Sequence, residues 1–237
     1  MDEADRVLKD AVKLHPRPAL LLLRAAGAYR DKGDVQRSLA CLEMAHGADA
    51  KNGDVELALG EALMQRGRIA EGIQHLETAR DGGVAPLTAS CEIVAALASL
   101  DRIEEARRLI RQVPTQSDVP TSGLMDFGDL AMRLEDPRTA ERFFTQVVSR
   151  EPRDWRARDA LGVALGAQEK TGAALTELET AKRLAPGEAT VRFHIGLTLA
   201  QAGRLDEARG ELGEALRLQP DCPEAKEVLA LATRGGR

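Results

Sequence analysis

The stretch WRARDALGVALGAQEKTGAALTELETAKRLAPGE, Trp155 to Glu188, decides how this 237-residue chain folds. Small and large apolar residues recur along it at helical spacing, break at GAQEKTG (Gly166–Gly172), and resume until Pro186. It reads as two amphipathic helices joined by a tight turn, the second ended by a proline that cannot continue the hydrogen-bond ladder. Leu161-Gly162, Leu165, Ala174, Leu178, Ala181 and Pro186 return 34 residues later as Ile195-Gly196, Leu199, Ala208, Leu212, Ala215 and Pro220. Stepping back by 34 from Trp155 reaches Thr121, Leu87, Gly53 and Ala19, and stepping forward reaches Ala189 and Pro223, with no insertion or deletion. A fixed period of this length overrides any domain count based on chain length.

Working outward, the copies weaken toward the N-terminus. Residues 189–222 match best, and 121–154 keep Phe127-Gly128, Ala140, Phe144 and Pro152. Residues 87–120 keep Ile93-Val94, Leu97, Ala106 and Ile110, but Pro114 cuts the second helix short and PTQSDVP follows as the longest irregular connection. Local opening is expected there first. Residues 53–86 carry Leu59-Gly60, Leu63, Leu76 and Ala79, with Gly72 where alanine is usual, and 19–52 form the most degenerate copy. Residues 1–18 fit a second helix alone, with Ala4, Leu8 and Ala11 lacking a partner helix. Residues 223–237 fit a capping helix, ended by Gly235-Gly236, and a tail. Small residues at the eighth and twentieth positions let paired helices approach closely. Large ones at the seventh, eleventh and twenty-fourth fill the space beside them.

This period and residue pattern resembles the tetratricopeptide repeat (TPR) family. The resemblance implies an all-α, right-handed superhelical α-solenoid of helix-turn-helix repeats. It also implies a non-catalytic scaffold or adaptor that binds a peptide or helical segment of a partner in its concave groove. The alternatives are a TPR recruiting or regulatory region of a larger multidomain enzyme, or a self-assembling TPR scaffold joined through the uncapped N-terminal helix.

Composition narrows the partners. A net charge of −5 argues against nucleic acid, which calls for a basic stripe. The charged opening MDEADRVLKDAVKLH has no signal-peptide core, and Leu20–Leu23 is too short to span a bilayer. Cys41, Cys91 and Cys222 fit no metal or redox spacing, so thiols in a reducing cytoplasm are expected. The Ala/Arg/Gly/Leu-rich usage suggests a bacterial source. No cofactor, metal or catalytic residue is expected. Glu71 and His75 sit four apart as two metal ligands could, but no third ligand is evident, and GAQEKTG lacks the order of a phosphate loop. Trp155 is expected to cover the junction with the preceding repeat.

In TPR proteins the concave wall comes mainly from the second, fifth, ninth, twelfth and thirteenth positions of each first helix, with the sixth beside them. The resemblance carries these onto Asp54, Leu57, Glu61, Met64, Glu92, Met125, Asp126, Asp129, Met132, Arg133, Arg156, Asp159, Phe193 and Leu197. No unit offers the Lys–Asn pair with which a TPR subset clamps a chaperone's C-terminal carboxylate. Acids crowd the middle units, and Met64, Met125 and Met132 point inward whereas Met44 does not. Flexible thioethers suit an apolar partner surface. A basic, amphipathic protein segment is therefore the expected ligand.

Overall fold

The computed structural model describes residues 3–115 and 119–234, without the side chains of residues 3–5 and Lys9. Ala4, part of PTQSDVP and Gly235-Gly236 therefore lie outside the described residues. Among those described there are fourteen helices and no strand. The chain divides into two compact units between Val113 and Pro114.

The first unit holds α1 (Glu3–Leu14) and three helix pairs: α2 (Pro18–Asp31) with α3 (Val35–Ala48), α4 (Gly53–Gln65) with α5 (Ile69–Asp81), and α6 (Pro86–Ser99) with α7 (Ile103–Gln112). The second holds α8 (Thr121–Arg133) with α9 (Pro137–Arg150), α10 (Trp155–Gly166) with α11 (Thr171–Leu184), α12 (Ala189–Gln201) with α13 (Leu205–Leu218), and α14 (Pro223–Arg234). Helix starts follow local chemistry. Asp34, Asn52, Asp136 and Asp154 accept hydrogen bonds from backbone N–H groups of the first turns of α3, α4, α9 and α10. Pro18, Pro86 and Pro137 open helices where a missing N–H is harmless.

The turn inside each pair is one motif made six times. Gly33, Gly67, Asp101, Glu135, Glu169 and Gly203 occupy the same position of successive units, and all have positive φ, between 53° and 78°. The N–H of the following residue reaches back across the turn, as from Lys170 to Leu165 O at 3.1 Å and from Arg204 to Leu199 O at 2.9 Å. This left-handed closure satisfies orphan carbonyls at the end of the first helix. Three units fill it with glycine, and three hold an acidic residue under mild strain.

Close approach within pairs explains why the eighth position stays small. A methyl group added to Gly162 would fall 2.5 Å from Leu178 Cγ and 3.2 Å from Ala174 O, and one on Gly196 2.6 Å from Leu212 Cγ. Gly60 stands in the same relation to Leu76, at 2.8 Å. Leu76, Leu178 and Leu212 are fully buried. Gly72, the glycine in an alanine position, has Met64 laid over it: an added methyl would meet Met64 Cγ at 2.5 Å. In the α6–α7 pair the eighth position is Val94, fully buried, so the pairing there is built around a larger side chain.

Each unit has its own apolar interior. In the first, Ala26, Leu39, Leu42, Leu59 and Leu63 form one cluster, and Ala19, Leu22, Ala45 and Val55 another. Leu8 packs on both and Val12 on the second, while Val7 and Leu14 of α1 are 63% and 87% exposed. In the second, Leu178, Val191, Ile195, Leu199 and Leu212 are buried together with Ala225 of α14, and Val228 and Leu229 pack against them. Trp155 also packs on this cluster, which draws on α11 to α14 rather than on the preceding repeat. At the foot of the second unit, Arg150 donates to the carbonyls of Val119 and Thr115, and Val119 is buried. The described part of PTQSDVP is thus tethered at two carbonyls.

Candidate functional site

Within each unit, first helices of neighbouring pairs touch one another: α2 meets α4, α10 meets α12, and α12 meets α14. They form an inner layer, with the second helices outside it. The residues expected to recognise a partner lie on these first helices.

In the first unit, Asp54 is exposed at the start of α4, and Leu57, Glu61 and Met64 follow it half-buried. Glu92 of α6 is also half-buried. Neither Glu61 nor Glu92 has an ion-pair or hydrogen-bond partner among the described residues. Burial pushes the Glu92 carboxyl above the usual carboxylate range, and the charge of Glu61 pushes it further. In the second unit, α8 carries Met125 and Met132 half-buried, with Asp126, Asp129 and Arg133 exposed. Asp129 has the protein at its back, and that desolvation raises its pKa, with Asp126 adding to the rise. Residues three and four apart on a helix are neighbours on one face, so Met125, Asp126, Asp129 and Met132 share adjoining strips.

Acids on the second helices behave oppositely. Arg68, Arg102 and Arg204 each fold over the acid three residues on, Glu71, Glu105 and Glu207. Hydrogen bonds from the guanidinium hold all three carboxyls below the usual range. These three outer acids are therefore neutralised, whereas Glu61 with Glu92 and Asp126 with Asp129 stand as like-charged neighbours. A broad depression lies between α11 and α13, but Glu207 and Glu211 there already have cationic partners, Arg204 for one and Lys182 and Arg192 for the other.

Four expected site residues sit differently from the rest. Asp159 is buried, and both its oxygens lie 2.9 Å from His194 Nδ1. Its charge is committed to joining α10 to α12. Phe193 and Leu197 are half-buried, and Phe193 packs against the core cluster, its ring 5.5 Å from that of His194. Arg156 lies over the Trp155 ring, 4.6 Å from its centroid. Met44, on the outer helix α3, is 40% exposed and outside the inner layer.

One constellation escaped the sequence reading. His75 does not team with Glu71. Instead His46 of α3 and His75 of α5 both turn to Glu56 of α4 (Nδ1–Oε distances 2.5 and 2.7 Å). The three are 10 and 19 residues apart on separate helices, so no spacing within one helix reveals them.

Helix pairs stacked at a fixed period define a repeat scaffold of the kind that serves protein interaction. Residues 125–189, 160–223 and 193–235 match the tetratricopeptide repeat family model. Residues 125–235, just under half of the chain, thus match the tetratricopeptide repeat family, and the helix pairs before them repeat at the same period. The C-terminal part of a TPR repeat-containing protein from Cytophaga hutchinsonii shares the fold, with a TM-score of 0.71 at 18% identity, over 96% of this chain and 93% of that one. YrrB, a TPR protein whose crystal structure is described as having an unusual peptide-binding site, is similar at a TM-score of 0.53 and 18% identity, over 93% of this chain and 96% of that one. A tetratricopeptide repeat protein from Parabacteroides merdae reaches 0.52 at 17% identity, over 97% of this chain and 91% of that one. No curated protein matches the sequence. No described helix is long and apolar enough to cross a membrane.

Proposed function

We propose that this chain is a non-catalytic TPR adaptor whose inner helices hold a basic, amphipathic segment of a partner protein. One observation carries the reading: Glu61 with Glu92 and Asp126 with Asp129, all on first helices, stand as like-charged pairs without a cation among the described residues, while Glu71, Glu105 and Glu207 of the second helices each have an arginine three residues away. Glu92 in the first unit and Asp129 in the second have raised pKa values, through burial first and then through Glu61 and Asp126 beside them, and a bound Lys or Arg relieves that cost. Met64, Met125 and Met132 offer adaptable apolar surface beside them. YrrB supports peptide binding as a use to which this fold is put. The three cysteines are thiols, which suits the cytoplasm as the place of work.

The test is a titration of the full chain with a synthetic Lys/Leu amphipathic helix and with a Glu/Leu helix of the same design. The basic peptide should bind, more weakly as salt rises, and the acidic one should not. Glu61→Lys with Glu92→Lys, or Asp126→Lys with Asp129→Lys, should reduce binding of the basic peptide at least tenfold. Equal binding of both peptides, or indifference to all four reversals, would remove the proposal.

A second contact is proposed at α1, where Val7 and Leu14 stand exposed on a helix that packs through Leu8 and Val12. It joins two copies of the chain. Sedimentation velocity should show mass rising with concentration in the parent and staying constant after Val7→Ser with Leu14→Ser.

A further inference from the structure

The His46–Glu56–His75 knot occupies a recurring junction of the fold. Counting along the 34-residue unit, His46 holds the twenty-eighth position of one repeat, and Glu56 and His75 hold the fourth and twenty-third of the next. In the last complete repeat and the one before it, these positions are Lys182, Arg192 and Glu211. There a single carboxylate takes one cation on each oxygen, Lys182 Nζ at 2.9 Å and Arg192 Nη1 at 3.0 Å. Glu56 is held in the same way, one oxygen to each neighbour, but its neighbours are two imidazoles. The junction thus exists in two chemical versions on one backbone.

The difference matters because Glu56 is only 1% exposed. Glu211 is balanced by two permanent charges, whereas histidine is charged only when protonated. A buried carboxylate without a firm counter-charge is costly. Lys–Arg–Glu binds no metal. Two imidazoles and a carboxylate, each with a ligating atom within 4.8 Å of the others, form a set that divalent zinc and its neighbours favour.

We propose that His46, Glu56 and His75 form a binding site for one divalent transition-metal ion of the zinc class. The ion replaces the two charges that Lys182 and Arg192 supply at the equivalent junction, and it joins α3, α4 and α5. Tetrahedral zinc with N and O ligands at about 2.0–2.2 Å separates neighbouring donors by roughly 3.3–3.5 Å. The present N–O distances of 2.5 and 2.7 Å therefore need to open by less than about 1 Å. His46 makes that movement available, since its side chain is 39% exposed, against 22% for His75 and 2% for Glu56. The same exposure leaves an entry path and a fourth coordination place for water. The rings meet edge to face at 5.1 Å, so they converge on the carboxylate from different directions. Binding displaces any protons on the coordinating nitrogens and so weakens as pH falls.

The experiment is calorimetric titration of the chelator-stripped full chain with zinc chloride, followed by thermal unfolding with and without zinc. The expected result is one tight site per chain and a midpoint that rises with zinc. Co2+ at the same site should give the intense visible absorption of a tetrahedral centre. His46→Asn and His75→Asn should each weaken binding more than about 100-fold, beyond the loss typical of an outer-layer partner. Glu56→Gln alone risks misfolding, so the decisive variant rebuilds the alternative junction. His46→Lys, Glu56→Arg and His75→Glu together should keep the helical content and unfolding midpoint of the metal-free parent and bind no zinc at this site. Failure of the parent to bind zinc at micromolar concentration would overturn the assignment, as would tight binding that persists in the triple variant.

Discussion

Replacing Gly162 with alanine sets two known effects against each other. In an open helix interior, Gly→Ala is worth about 1 kcal/mol of stability. At Gly162 the new methyl arrives 2.5 Å from Leu178 Cγ, 2.8 Å from its Cδ2 and 3.2 Å from Ala174 O. Carbon–carbon contacts are comfortable at about 3.5–4.0 Å, so roughly 1 Å must be found. Leu178 is fully buried, and the oxygen is backbone, so neither yields cheaply. Overpacking costs about 1–3 kcal/mol, and the upper end applies here. The net expectation is destabilisation by roughly 1–2 kcal/mol. Gly210 on α13 supplies the control, because a methyl group there meets nothing within 4 Å. Gly210→Ala should stabilise by about 0.5–1 kcal/mol. Urea denaturation followed by circular dichroism reads both midpoints. In a double-mutant cycle, Leu178→Ala should cost less in the Gly162→Ala background than in the parent, because the clash is gone. A Gly162→Ala protein at least as stable as the parent would refute the claim that close approach dictates the repeat.

Other expectations share this logic. Glu169→Gly should stabilise by about 0.5–1 kcal/mol by relieving its left-handed backbone, read as a higher unfolding midpoint. Ala174→Trp should destabilise by about 3 kcal/mol or more, measured by the same denaturation, since Ala174 is fully buried. Glu92 has a raised folded-state pKa, so its ionised form opposes folding; stability gained at low pH is lost as pH rises through that value. Glu92→Gln should therefore raise the melting temperature at pH 7, by the equivalent of less than about 1 kcal/mol, and give no gain below about pH 4. Arg150→Ala should speed amide exchange at Val119, whose carbonyl then loses its partner.

The repeat was legible because it is written in residues that cannot be exchanged cheaply. Small residues meet Leu76, Leu178 and Leu212 across a helix pair, and those contacts recur with the period. The turn was less legible, since Asp101, Glu135 and Glu169 take the same left-handed conformation as the glycines without looking like them. Of the site, the unpaired acids and the half-buried methionines were readable by register alone. Asp159 was not distinguishable from them, because its burial depends on His194, one repeat away. The Glu56 junction was hidden for a similar reason. The i, i+4 spacing of Glu71 and His75 suggested a pair, but Glu71 is taken by Arg68, and His75 points across to another helix. Aligning the twenty-eighth, fourth and twenty-third positions would have exposed it, since Lys182, Arg192 and Glu211 mark the same place.

The central claim is that the inner face of the first helices receives a basic amphipathic segment, and methionine methyl groups report on it directly. Methionines labelled with 13C at the methyl group are observed by NMR while the Lys/Leu peptide is added to the full chain. Met125 and Met132 flank Asp126 and Asp129 on α8, whereas Met44 lies exposed on the outer helix α3. The expected result is movement of the Met125 and Met132 signals, saturating with the binding curve and suppressed by salt, with Met44 unmoved. Saturable binding that leaves Met64, Met125 and Met132 in place, or that shifts Met44 instead, would contradict the claim.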